Sequence, residues 1–129
     1  MLESVLVDTS AAISLFNGNK VATLIFNEAG LIYVPSLVYG ELFLGMEGAS
    51  NRELEEKKIK EFQQRSQFLS IDYATTKHYA KIAMALRLKG KPIPTNDMWI
   101  AAIAIQHQLP LLAKDKHFDW IDGLKVLKI

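Results

Sequence analysis

Short β-branched runs alternate with helix-length segments along almost the whole chain, and this alternation constrains the fold more than any other feature. "SVLVD" (Ser4–Asp8), "LIYVP" (Leu31–Pro35), "FLSID" (Phe68–Asp72), "LPLLAKD" (Leu109–Asp115) and "LKVLKI" (Leu124–Ile129) read as strands. Between them lie helical segments. "TSAAISLF" (Thr9–Phe16) starts with capping residues and is stopped by "NGN" at Asn17–Asn19. Lys20–Ala29 is closed by Gly30, and "SLVYGELFLGMEG" reads as a helix in spite of Gly40 and Gly45. Arg52–Phe68 forms a polar helix with a thin apolar line through Leu54, Ile59 and Phe62. In Ala74–Gly90 the residues Tyr79, Ile82, Ala83 and Leu86 follow the i, i+3, i+4, i+7 spacing of a helix packed on a core. "KPIPT" is a loop, and Asn96–Gln108 is an apolar helix. Strand–helix alternation predicts a parallel sheet covered by helices on both faces, with right-handed crossovers. In such sheets ligands bind outside the carboxyl ends of the strands.

The bulk numbers agree with one compact domain over residues 1–129. A chain of 129 residues, half of them hydrophobic and 22% charged, can bury one sizeable core. Fifteen basic and 14 acidic residues leave a formal charge of +1, which excludes a chain-wide electrostatic pull on nucleic acid but not a local patch. The absence of cysteine excludes disulfides and thiolate metal sites and fits a reducing cytoplasm. The longest apolar run, Met98–Ile105, is too short for a bilayer, and the N-terminus lacks the pattern of a signal peptide.

Four acids fall at strand-to-helix connections or one turn beyond. Asp8 ends the first strand, Glu41 lies one turn into the helix after the second, Asp97 opens the helix after "KPIPT", and Asp115 ends the fourth strand. A parallel sheet brings all four to one rim. Two carboxylates about 4 Å apart repel by roughly 4 kcal/mol at an effective dielectric near 20. A cluster of them protonates, spreads or takes up a cation, and a hard oxygen-seeking ion such as Mg²⁺ or Mn²⁺ suits it best. Such ions activate water and hold phosphate oxygens, so phosphodiester hydrolysis is the natural reaction.

Each acid also has an ordinary reading. Asp8 can cap the helix at Thr9. Asp97 can cap its helix too, although Thr95 and Asn96 are competent caps just before it, and an acid in a first turn gains from the helix dipole. Asp115, between Lys114 and Lys116, reads equally as a surface residue. Glu41 is the hardest to explain as solvated: it is the only charge between Leu31 and Met46, and Gly45, one turn on, leaves room beside it.

"VLVDTSAAI", "PSLVYGELFLG", "TNDMWIAAIAI" and "LLAKDKHFDWI" resemble the successive motifs of PIN-domain ribonucleases, most closely the VapC-type toxins of toxin–antitoxin pairs. "DTS" or "GEL" alone is weak; the four in this order span nearly the whole chain. The resemblance implies a three-layer α/β/α fold with a five-stranded parallel sheet and metal-dependent endonucleolytic cleavage of RNA. It further implies homodimers and a small VapB-like antitoxin that wraps the toxin and blocks its acidic pocket. By position it assigns Asp8, Glu41 and Asp97 as ligands of Mg²⁺ or Mn²⁺, Asp115 as a more variable fourth acid, Ser10 as a small polar neighbour and Asn96 as a companion of the third acid. One departure is Ala113, where the family often has Ser or Thr two residues before the fourth acid. Asp119 is a further acid that shares that corner or solvates the surface around Trp120.

Candidates for the RNA backbone are Arg87, Lys89, Lys91, Lys114, Lys116 and His117, each weighed against an ordinary solvated side chain. His117 is weighed as a general acid or base and set aside, because a metal-activated water needs none. His78 and His107 read as surface or packing residues. Leu15 and Phe16 are candidates for a partner groove by analogy with the family, with core packing the simpler account. The long polar helix reads as a solvated face with pairs such as Glu53–Lys57. Three other functions compete with the nuclease. A phosphoacceptor receiver domain wants adjacent acids after its first strand and an aspartate after its third, but Asp8 has no acidic neighbour. A hydrolase with an aspartyl nucleophile wants a second aspartate at position 10, which is Ser10. A non-catalytic binding relative predicts a broken acid set.

Overall fold

A computed structural model describes residues 3–129. Five strands form one sheet in the order β3-β2-β1-β4-β5, and every neighbouring pair is parallel. The strands are β1 (Ser4–Val7), β2 (Leu31–Pro35), β3 (Gln67–Leu69), β4 (Leu111–Ala113) and β5 (Val126–Lys128). Central strands buried on both faces read as unbroken apolar runs. Val5, Leu6 and Val7 of β1 and Leu111, Leu112 and Ala113 of β4 are accordingly almost fully buried. Register is set by Val5 opposite Ile32 and Leu6 opposite Leu111. Gly30 permits the close entry of β2, because a Cβ there would lie 2.7 Å from the carbonyl oxygen of Glu3.

The helices are α1 (Thr9–Phe16), α2 (Lys20–Glu28), α3 (Ser36–Glu47), α4 (Arg52–Arg65), α5 (Tyr73–Lys89) and α6 (Thr95–Gln106). The chain steps from β1 outward through β2 to β3, then crosses back to β4. Right-handed crossovers therefore put α1–α4 over one face and α5–α6 over the other. Phe62 of α4 gathers the first group: its ring meets Phe16 edge-on at 5.5 Å, stacks on Phe26 at 5.8 Å and tilts against Tyr39 at 6.0 Å. On the other face Tyr79 of α5 stacks on Trp99 of α6 at 3.9 Å. Ile82 and Leu86 are buried, as their helical spacing predicts, while Tyr79 and Ala83 are half-buried.

Several boundaries differ from the sequence reading, each for a local reason. β3 stops at Leu69 rather than running to Asp72, because Asp72 instead forms a capping box with Thr75 at the start of α5. Leu54 is exposed, since the buried face of α4 runs through Ile59 and Phe62, and Glu55 and Lys58 lie near that seam. The ion pairs on α4 are Arg52 with Glu47 and Glu56, and Lys58 with Glu55, in place of Glu53–Lys57. A 3-10 turn at Lys116–Trp120, unpredicted, follows β4, with Phe118 wholly buried as its anchor.

This order reverses direction between β1 and β4, so the crevice at their carboxyl ends is the topological switch point where open α/β sheets bind ligands. A receiver-type sheet has the order 2-1-3-4-5 instead. No helix among the described residues is long and apolar enough to cross a membrane.

Candidate metal centre

Asp8 leaves β1 directly into this crevice and begins α1. Its Oδ1 accepts the backbone N–H of Ala11 at 2.8 Å, so it caps the helix, and the Ser10 hydroxyl, 2.9 Å from Oδ1 and 3.1 Å from Oδ2, donates to the same carboxylate. Asp8 therefore caps α1 while standing at the carboxyl end of β1. The Ser10 oxygen in turn accepts the N–H of Lys114 at 3.2 Å, which ties the end of β4 to Asp8. Ala113 is wholly buried beside this link.

Glu41 reaches the same place from α3. The Thr9 hydroxyl donates to its Oε1 at 2.9 Å, so adjacent residues of α1 hold two acids from different parts of the chain. A Cβ on Gly45 would meet nothing within 4 Å, and Glu41 and Gly45 border one groove of about 180 Å³ with Ile13, Phe16, Met46 and Ile59.

Asp97 is the third residue of α6, not its cap. Pro94 occupies the cap position without a side-chain bond, its carbonyl accepting the N–H groups of Asp97 and Met98. Neither Thr95 nor Asn96 caps the helix. The Asp97 carboxylate is left to face the crevice, in a first turn whose dipole favours negative charge. Asn96 is exposed beside it. Asp115 lies two residues past the end of β4, at the start of the 3-10 turn, rather than at the strand terminus.

Neighbouring charges act on two of these carboxylates, Asp8 and Asp97. Asp8, 2 % exposed, has its pKa raised from 3.8 to about 7, chiefly by burial, against the lowering effect of its hydrogen bonds; Asp97 and Asp115 push it further up. Asp97 is also raised, first by burial, with His117 opposing and the charges of Glu41 and Asp115 adding. Asp119 does not share this corner: it pairs with Lys128 of β5 at 2.9 Å.

His117 is the residue that the sequence reading undervalued. The 3-10 turn folds its ring back so that Nε2 lies 2.9 Å from Asp97 Oδ2. The approach is close, but its angle does not make a formed hydrogen bond, and Nε2 is shut off from solvent without a partner. Asp97, Asp115 and His117 each offer a donor atom, all within 4.8 Å of one another. The only signal in the sequence was adjacency to Asp115; the turn that aims the ring has no periodic signature. His78 is half-buried within α5, and His107 is exposed just past α6.

Of the candidate RNA-binding cations, Lys114 and Lys116 are exposed on either side of Asp115. Lys91 sits 4.9 Å from the ring centroid of Trp120. Lys89 is bound to the Trp120 carbonyl at 2.8 Å and to Asp122 at 3.0 Å, so its ammonium serves that turn. Arg87 borders an open groove of about 430 Å³ with Tyr79, Thr95 and Met98.

Asp97, Asp115 and the unpartnered His117 ring nitrogen form a donor set compatible with a divalent cation, beside the buried Asp8. The PIN domain family model matches residues 5–124. Ribonuclease VapC1 of Rickettsia felis is 35% identical over 132 residues, covering 96% of this chain and 95% of that one. Ribonuclease VapC4 of Mycobacterium tuberculosis is 33% identical over 98 residues, covering 74% and 75%. Among solved structures, VapBC-1 from nontypeable Haemophilus influenzae superposes with a TM-score of 0.85 at 26% identity, covering 97% of each chain. VapBC2 from Rickettsia felis bound to a DNA fragment superposes at 0.87, with 22% identity over 98% of each, and supports the fold alone.

Proposed function

The chain belongs to the PIN-domain family, and on that premise we propose that it is a metal-dependent endoribonuclease, the toxin of a toxin–antitoxin pair. What supports this reading is the group of Asp97, Asp115 and His117, whose donor atoms lie within 4.8 Å of one another, with the charge of Asp97 acting on the buried Asp8 and that of Glu41 acting on Asp97. Asp8, Glu41 and Asp97 would hold Mg²⁺ or Mn²⁺, with Asp115 at the open side. A bound divalent cation supplies acidification of water and neutralisation of charge on the scissile phosphate. The chain's own part is to fix the donors. Ser10 and the Ala11 N–H hold Asp8 in one rotamer, and Thr9 orients Glu41. Lys114 and Lys116 flank the acids and suit the phosphate backbone on either side of the cut.

A partner is part of the same reading. The groove between α1, α3 and α4 is lined by Ile13, Phe16, Leu42, Met46 and Ile59 and leads to Glu41, while Glu55 and Lys58 rim it. It suits an apolar antitoxin segment ending at the acids. Phe16 serves both this groove and the core cluster around Phe62, whereas Leu15 packs against the core. The cysteine-free chain suits action in the cytoplasm.

The purified chain is expected to cut a structured RNA in Mg²⁺ or Mn²⁺. EDTA should abolish cleavage, and excess cation should restore it. Full activity after thorough chelation would overturn the metal-dependent reading.

A further inference from the structure

We infer that His117 is a nitrogen ligand to the cation of the acid pocket, and that it sets which ion the pocket prefers. The inference rests on the reading of that pocket as a cation site and adds a donor that the four-acid account leaves out. Two donors adjacent on an octahedral ion with ligands at about 2.1 Å lie about 3 Å apart, and two opposite donors about 4.2 Å apart. His117 Nε2 and Asp97 Oδ2 are 2.9 Å apart, and the spread of Asp97, Asp115 and His117 stays within 4.8 Å. The Asp97–His117 spacing is that of two adjacent ligands on one ion.

The ring is also placed for this task. Phe118, fully buried, anchors the turn, and the His117 ring tilts against it at 4.8 Å. Nε2 is out of solvent and lacks an aligned hydrogen bond. With the ring proton on Nδ1, the Nε2 lone pair faces a carboxylate oxygen at this distance, and a cation between them relieves the repulsion. A proton on Nε2 is the competing account, with His117 bridging to Asp97 by a bent hydrogen bond. The two accounts differ in what metal alone does.

A nitrogen donor changes selectivity. Mg²⁺ prefers oxygen and keeps its waters, whereas first-row transition ions gain from imidazole in the order Mn²⁺ < Fe²⁺ < Co²⁺. The full chain is titrated with Mn²⁺, Co²⁺ and Mg²⁺ separately, without RNA, alongside His117→Gln and Asp97→Asn. Electron spin-echo spectra of the native chain with Mn²⁺ are expected to show modulation from a directly bound nitrogen, absent in His117→Gln. Co²⁺ affinity should fall about tenfold or more in His117→Gln, while Mg²⁺ affinity changes little. The native spectrum needs no variant, so a folding defect in His117→Gln leaves the test intact. If Mn²⁺ binds, Asp97→Asn weakens it, and no nitrogen couples, the cation pocket stands and the role of His117 is overturned. If no ion binds, or Asp97→Asn leaves binding unchanged, the pocket reading itself fails and takes this inference with it.

Discussion

Asp97→Asn is expected to lose RNA cleavage by on the order of 10²–10³-fold or more while the chain stays folded. The substitution keeps the size and shape of the side chain, so the packing of α6 against α5 is undisturbed. What it removes is one negative charge from a set that holds a divalent ion, together with one anionic donor. The helix keeps its start, because the backbone of Pro94 and not the Asp97 side chain accepts the first N–H groups of α6. Circular dichroism should match the native chain and a thermal melt should show no loss of stability, whereas cleavage of a labelled RNA should be lost. Retained cleavage in a clean preparation would remove Asp97 from the chemistry and leave its place in the first turn as the whole explanation.

Asp8→Asn is expected to act in opposite directions on activity and stability. Cleavage should fall as for Asp97→Asn. The metal-free variant, in contrast, should be more stable than the native chain above pH 7. Asp8 has a folded-state pKa of about 7 against 3.8 for the free side chain. Between those values the folded chain holds a proton that the unfolded chain has released, so stability falls as pH rises. The favourable contribution is complete below about pH 4 and is gone above about pH 7. At about 1.4 kcal/mol per pH unit, the window amounts to roughly 4 kcal/mol. Asparagine cannot ionise, yet its oxygen still accepts from Ala11 N and Ser10, so the cap survives. Asp8→Ala loses that cap as well, at a cost of about 0.5–2 kcal/mol, and separates the two effects. Denaturant midpoints from pH 4 to 8, with and without Mg²⁺, measure this. The native and Asp8→Asn curves should diverge as pH rises without metal, and the cation should stabilise only the native chain appreciably. Parallel curves would mean that Asp8 is not held against its ionisation by the fold.

Much of this arrangement is legible in the residues. Strand-sized apolar runs separated by helical periods locate β1, β2, β4 and β5, and the placement of acids after strands predicts one acidic rim. Glu41 stands out because a lone charge in an apolar helix has few solvated explanations. The strand order itself is not local information, since it depends on which faces pack, and with it comes the switch point between β1 and β4. Caps were harder to assign. Thr95 and Asn96 have the chemistry of caps, but the geometry fixed by Pro92 and Pro94 starts α6 before them, and Asp72 ends β3 early through its bond to the Thr75 N–H. The approach of His117 to Asp97 is not legible for a related reason: a 3-10 turn of five residues has no hydrophobic period, and the burial of Phe118 aims the neighbouring ring at Asp97. Lys89 shows the reverse case, a basic residue beside the crevice in sequence whose charge is engaged by Asp122.

The most direct measurement is a crystal of this chain soaked in Mn²⁺ with data collected at the manganese edge. An anomalous peak bounded by the carboxylates of Asp8, Glu41, Asp97 and Asp115 is the predicted result. Manganese bound only elsewhere, with those side chains left as they stand without it, would contradict the account at its root.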